Sequence, residues 1–153
     1  MSEQTTTTSR KILVIDDEPS IIAYLTTVLE DEGYVTCSTS DPLAALDVAQ
    51  QHRPDLITLD IMMPKRSGIA FYQILKRDAE LGAVPVVFVS AFARASDFRS
   101  TVFRKMVPDE TIPAPEAYVE KPIDVASFLR TVASLIDAGD SVAASSGRRG
   151  NAP

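Results

Sequence analysis

Three short, almost unbroken apolar runs dominate the sequence: Ile12-Leu13-Val14-Ile15, Leu56-Ile57-Thr58-Leu59 and Val86-Val87-Phe88-Val89. Such a run, with no polar alternation, belongs to a strand covered on both faces. Each is followed by apolar residues at helical spacing. Ile21, Ile22, Leu25, Val28 and Leu29 form one stripe, closed by Gly33. Residues 68–81 predict a helix with Phe71, Ile74 and Leu75 inward, and residues 94–106 predict another along Phe98, Val102 and Met106. Two weaker units complete the pattern. Tyr34–Thr39 reads as a more polar strand before an Ala-rich helix that ends near His52, with Asp41 as its N-cap and Pro42 at its first position. Ala117–Glu120 reads as a short strand before a final helix carrying Val125, Phe128, Leu129, Val132, Leu135 and Ile136. Pro108, Pro113 and Pro115 mark residues 107–115 as loop.

Five strand–helix units in succession imply an α/β fold with a parallel sheet and helices on both of its faces. The first, third and fourth strands are the most apolar and belong in the centre. The polar second and the short fifth belong at the edges. A doubly wound order of 2-1-3-4-5 satisfies this, and ligands in such folds bind beyond the carboxyl ends of the strands.

A length of 153 residues suits one domain. The expected division is a disordered tail over 1–10, a folded domain over 11–138 and a disordered tail over 139–153. Fifteen basic against 21 acidic residues give a net charge of −6, so no global electrostatic attraction to nucleic acid is expected. No apolar run is long enough to span a membrane, and the N-terminus lacks a secretory apolar core. One cysteine, Cys37, and one histidine, His52, exclude an internal disulfide and a multi-histidine metal site. There is no GxxxxGK[ST] or GxGxxG phosphate-binding motif. The expectation is a cytoplasmic domain without a nucleotide cofactor.

The strand ends carry the chemistry. Asp16, Asp17 and Glu18 follow the first strand, Asp60 the third, Ser90 the fourth and Lys121-Pro122 the fifth. Taken singly, Asp17, Glu18 and Ser20 could cap a helix and Lys121 could be a solvated lysine. As a set they converge on one sheet edge. Clustered carboxylates repel, and a hard divalent cation such as Mg²⁺ relieves the repulsion. A lysine and a hydroxyl beside them suit a phosphoryl group.

In these residues the sequence resembles the receiver domain of bacterial two-component response regulators, over about 11–138. The resemblance is carried by Asp16-Asp17 after ILVI, Asp60 after LITL, Met63-Pro64 and Gly68, Ser90-Ala91 after VVFV, and Tyr118 with Lys121-Pro122. It implies the flavodoxin-like fold, with Asp60 as phosphoacceptor. It implies Mg²⁺ held by Asp17, Asp60 and the Met62 carbonyl, with Asp16 acting largely through a water. Lys121 and Ser90 would stabilise the phosphoryl group, Ser90 and Tyr118 would act as the switch, and Lys121-Pro122 would be cis. The implied partners are a sensor histidine kinase or phosphotransfer protein and a downstream protein target. A stand-alone receiver, monomeric or dimerising on phosphorylation, would turn over no separate substrate and contact neither DNA nor membrane. The alternatives are an aspartyl phosphohydrolase, for which the second Asp of a DxDx[TV] motif is missing, and a receiver-like scaffold that carries no phosphate.

Two features depart from the family pattern. Ser90 and Lys121 lie 31 positions apart, an unusually long interval, so the fourth helix or the loop after it is extended. Bulky Met62 and Phe92 lie two positions after Asp60 and Ser90, where they would exclude water and lengthen the life of an acyl phosphate. Arg94, Arg99, Arg104 and Lys105 form a basic helix beside acidic Asp109, Glu110 and Glu116. This is either a solvated, locally paired face or a docking surface.

Overall fold

The structure, a computed structural model, describes residues 9–64, 67–91, 94 and 97–150. Five parallel strands form one sheet: β1 (Lys11–Ile15), β2 (Val35–Thr39), β3 (Leu56–Leu59), β4 (Val86–Ser90) and β5 (Ala117–Glu120). Their order is β2-β1-β3-β4-β5, with the polar strand and the short strand at the edges. The helices are α1 (Pro19–Asp31), α2 (Ala45–His52), α3 (Ser67–Arg77), α4 (Phe103–Met106) and α5 (Val125–Gly150). A π-helical turn, Phe98–Val102, leads into α4.

Alternation along the strands divides the core in two. Ile12, Val14, Val87 and Val89 face α1 and α5 through Leu25, Leu29, Phe128 and Val132. Leu13, Ile15, Ile57, Leu59, Val86 and Phe88 face α2, α3 and the π turn. Both faces of the central strands are covered, which is why those strands carry no polar alternation. Gly33 adopts a positive φ of 95° just beyond α1, a conformation that costs glycine little.

Local details differ from expectation. Helix α2 begins at Ala45. Asp41 accepts the Leu43 N–H at 2.9 Å, so it organises a preceding turn instead of capping the helix. Helix α3 ends at Arg77, and Ile74 is exposed where it was expected inward; Tyr72 takes the buried position with Phe71 and Leu75. Within the helix expected over 94–106, residues 98–106 form a π turn followed by one α turn, and Phe103 is buried while Val102 and Met106 are only partly so. Helix α5 continues to Gly150, through most of the stretch expected to be disordered. The expected tail over residues 1–8, and Phe92, lie outside the described residues.

The long interval before β5 is firmly tied. The Arg104 guanidinium donates to the carbonyls of Val107 (3.1 Å), Asp109 (2.8 Å) and Ile112 (3.1 Å). Tyr72 donates its hydroxyl to the Pro113 carbonyl at 2.6 Å, and Arg77 pairs with Asp109 at 2.9 Å. The Val86 N–H donates to the Glu116 carboxylate at 2.7 Å, joining the end of the loop to the start of β4.

Candidate functional site

The sheet ladder sets the backbone of the site. The Asp16 N–H donates to the Thr39 carbonyl (3.4 Å) and the Asp60 N–H to the Ile15 carbonyl (3.0 Å). The Lys121 N–H donates to the Ser90 carbonyl (3.0 Å). Parallel strands share a direction, so these pairings bring residues distant in sequence to one edge.

The side chains then converge. Lys121 Nζ lies 3.1 Å from Asp16 Oδ2, 3.4 Å from Asp60 Oδ2 and 3.5 Å from Glu18 Oε1. Each buried acid uses its other oxygen to accept a backbone amide two residues on, Glu18 N–H for Asp16 and Met62 N–H for Asp60, both at 2.9 Å. These bonds fix the two carboxylates before any ligand arrives. Asp16, Asp60 and Ser90 are buried, while Asp17 and Glu18 are exposed. Asp17, Glu18, Asp60, Met62, Ser90, Ala91 and Lys121 line an open cleft.

Burial pushes the Asp16 carboxyl up, and nearby Asp60 adds to this; the Glu18 amide and Lys121 oppose it. Burial also opposes the charge on Lys121, but Asp16 and Asp60 outweigh it and hold the ammonium above its ordinary value. Glu18 sits at the N-cap of α1 without a capping side-chain bond, and Pro19 occupies the first turn. The acids after β1 are therefore turned toward the cleft. Carboxylate oxygens of Asp16, Asp17 and Glu18 lie within 4.8 Å of one another. This all-oxygen, net-negative donor set fits a hard divalent cation such as Mg²⁺.

Gly68 packs against the loop that follows Asp60. A Cβ there would lie 2.5 Å from the Asp60 carbonyl oxygen and 2.7 Å from Ile61 Cα. The Lys121–Pro122 peptide is cis. Tyr118 is buried, with its hydroxyl 3.4 Å from the Ser90 carbonyl oxygen and its ring stacked on Phe98. Met62 is 53% exposed and lines the cleft.

The structure thus brings Asp16, Asp60, Ser90 and Lys121 together, with Asp17 and Met62 at the rim. Sequence reasoning did not foresee the contact of Glu18 with Lys121; its adjacency to Asp16-Asp17 was the available signal. Nor did it foresee Arg104 as the clamp of the following loop, since a guanidinium bound to carbonyls leaves no acidic counterpart in the sequence. His52 is exposed and remote from these residues in the fold, and burial pushes the half-buried Cys37 thiol up.

The sequence profile of the response regulator receiver domain matches residues 12–133. The polar-differentiation response regulator DivK of Brucella anthropi is 36% identical over 129 residues, covering 83% of this chain and 96% of that protein. DivK of Brucella ovis is 35% identical over 130 residues, covering 84% and 97%. Among solved structures, the chemotaxis protein CheY4 of Vibrio cholerae superposes with a TM-score of 0.71 at 23% identity, covering 84% of this chain and 99% of that one. The receiver domain of a histidine kinase from Syntrophus aciditrophicus gives 0.70 at 25% identity, covering 85% and 92%.

Proposed function

Because this chain belongs to the response regulator receiver family, and so to two-component signalling, we propose that it accepts a phosphoryl group on Asp60 and signals through phosphorylation-dependent protein contacts. The observation that carries this reading is the meeting of Asp16, Asp60 and Lys121, from the ends of three strands, in a cleft with fixed carboxylates.

An Asp60 oxygen attacks the phosphorus of a phosphohistidine on a sensor kinase or phosphotransfer protein. An O–P bond forms as the N–P bond breaks, and the imidazole leaves with the electron pair and takes up a proton. The Met62 amide holds one Asp60 oxygen, so the carboxylate meets the phosphorus in a set orientation. Lys121, already beside Asp60, stabilises charge on the phosphoryl oxygens, and the Ser90 hydroxyl bonds them once transferred. Asp16, Asp17, Asp60 and the Met62 carbonyl would hold Mg²⁺, with Glu18 within reach of the same cluster. Bound there, Mg²⁺ neutralises phosphoryl charge during transfer.

No separate substrate is turned over, and the acyl phosphate is lost by hydrolysis. Among the described residues no helix is long and apolar enough to cross a membrane. Output passes through a protein target, from a monomer or a phosphorylation-dependent dimer.

The test is intact mass after incubation with Mg²⁺ and acetyl phosphate. One added phosphate on the wild type and none on Asp60→Asn is the expected result. Equal adducts on both proteins, or none on either, overturns the assignment; rapid release of free phosphate without an adduct favours a phosphohydrolase.

A further inference from the structure

Tyr118 is 5% exposed, and its ring lies nearly parallel to that of Phe98, with centroids 4.4 Å apart and planes at 23°. The neighbouring ring pairs of this cluster are edge-on or tilted. Phe98 opens the π turn, which sets its ring on the same side as that of Phe103. In an α-helix, positions 98 and 103 would point roughly 140° apart. Here the Phe103 N–H donates to the Phe98 carbonyl, an i to i+5 bond. The wider turn brings both rings to the core side, and both are buried.

The turn is anchored from its far end. Phe103 packs edge-on against Tyr72 at 5.9 Å, and Tyr72 is bonded to Pro113. Arg104 lies 4.9 Å over the Phe103 ring while it holds the three loop carbonyls. The long segment before β5 therefore braces the residue on which Tyr118 stacks.

We infer that Phe98 is a positioning residue that holds Tyr118 inward, against Ser90, in the chain without a phosphoryl group. The inference rests on reading Asp60 as the acceptor and Tyr118 as the switch. If phosphorylation favours the inward ring, anything that already favours it strengthens phosphoryl binding by the same factor. Phe98 thus sets how much of the response is present beforehand.

Fluorine NMR of protein carrying 3-fluorotyrosine tests this directly. The four tyrosines, at 24, 34, 72 and 118, give four signals, and Tyr118→Phe identifies one. Solvent contact is read from the shift between H2O and D2O. Tyr118 of the wild type is expected to be shielded with no phosphoryl ligand. In Phe98→Leu it becomes exposed and returns inward when Mg²⁺ and beryllofluoride, a phosphoryl mimic, are added. The apparent Kd for the mimic weakens roughly threefold to tenfold, the usual worth of an aromatic pair. Phe128→Leu trims a buried ring in the core on the opposite face of the sheet and leaves both readouts at wild-type values. A wild-type Tyr118 exposed before the mimic overturns the inference. So does a shielded Tyr118 in Phe98→Leu, or an equal effect from Phe128→Leu. Shielding is read without any phosphoryl ligand, so failure of wild type to bind beryllofluoride counts against the acceptor reading and is distinguishable from failure of the stack.

Discussion

The ammonium of Lys121 lies 3.1 Å from the carboxylate of Asp16, a residue 105 positions earlier in the chain. Both are largely buried, at 16% and 2% side-chain exposure, so the attraction is poorly screened by solvent. The pair is held by the parallel sheet, and Asp60 joins it from the end of β3, one of the two strands between them.

Replacing Lys121 with Met keeps the stem and removes the charge. Phosphorylation of Asp60 by acetyl phosphate is expected to slow by about a hundredfold, the usual effect of removing one charge-stabilising donor. Lys121→Arg should recover little, because a planar fork cannot replace a point charge facing three separate carboxylates. The time course of phosphate incorporation by intact mass checks both; a Met variant as fast as wild type would remove Lys121 from the mechanism.

Met62 offers a thioether at the mouth of the cleft, where an amide could hold an attacking water. Met62→Asn is expected to speed loss of the acyl phosphate by about tenfold, equivalent to ~1.4 kcal/mol. The decay of phosphorylated protein after removal of the donor is the measurement. An unchanged rate would show that the side chain does not govern water access.

Arg104 has a structural duty that the charge pattern conceals. Arg104→Met removes three charge-assisted bonds to loop carbonyls and should cost about 2–3 kcal/mol. For a domain of this size that is a fall in Tm of roughly 6–10 °C. Charge reversal at Arg104 would unsettle the fold, so it is a poor probe of partner docking. Thermal unfolding of Arg104→Met and Arg104→Lys checks this; wild-type Tm in the Met variant contradicts the clamp.

Burial pushes the Tyr72 phenol well above its ordinary value, with Glu116 adding to the rise and Arg104 opposing it. The folded chain therefore keeps a proton that the unfolded chain begins to release near pH 10. This stabilisation is complete below that pH and is lost as pH rises further through the folded value. Tyr72→Phe should lose about 1 kcal/mol near neutral pH with the Pro113 bond, and its stability should fall less steeply above pH 10. Urea unfolding at pH 8 and pH 11 gives both quantities, and parallel pH profiles would count against the buried phenol.

A methyl group at position 68 meets only backbone, so no rotamer change can relieve it. Gly68→Ala is expected to destabilise the domain by about 1–3 kcal/mol and to displace the loop that carries Asp60. The denaturation midpoint and the phosphorylation rate should fall together. A variant equal to wild type in both would show that the loop yields freely.

The strand runs, their order and the gathering of Asp16, Asp60, Ser90 and Lys121 were legible because period and position in a parallel sheet are local and topological properties. The helix over 94–106 was less so. Its apolar residues fit a spacing of four, but the rings that pack are Phe98 and Phe103, five apart, and only a π turn gives that spacing a common face. Asp41 looked like a cap from its neighbours, yet its side chain closed a turn first. Ile74 lay on the expected apolar stripe, but Tyr72 filled the core beside Phe88 and Phe103 and left Ile74 outside.

By itself, then, the sequence determined the α/β class, the strand order and the edge at which the acids and the lysine meet. Apolar periodicity and chain direction depend on neighbours a few residues away. Only the tertiary structure decided that Glu18 turns to Lys121, that Arg104 binds carbonyls instead of acids, and that Phe98 stacks on Tyr118. Each of these is a choice among partners distant along the chain. Such a choice follows from shape, burial and the competition of polar groups for the same donor, none of which is set until the elements have packed.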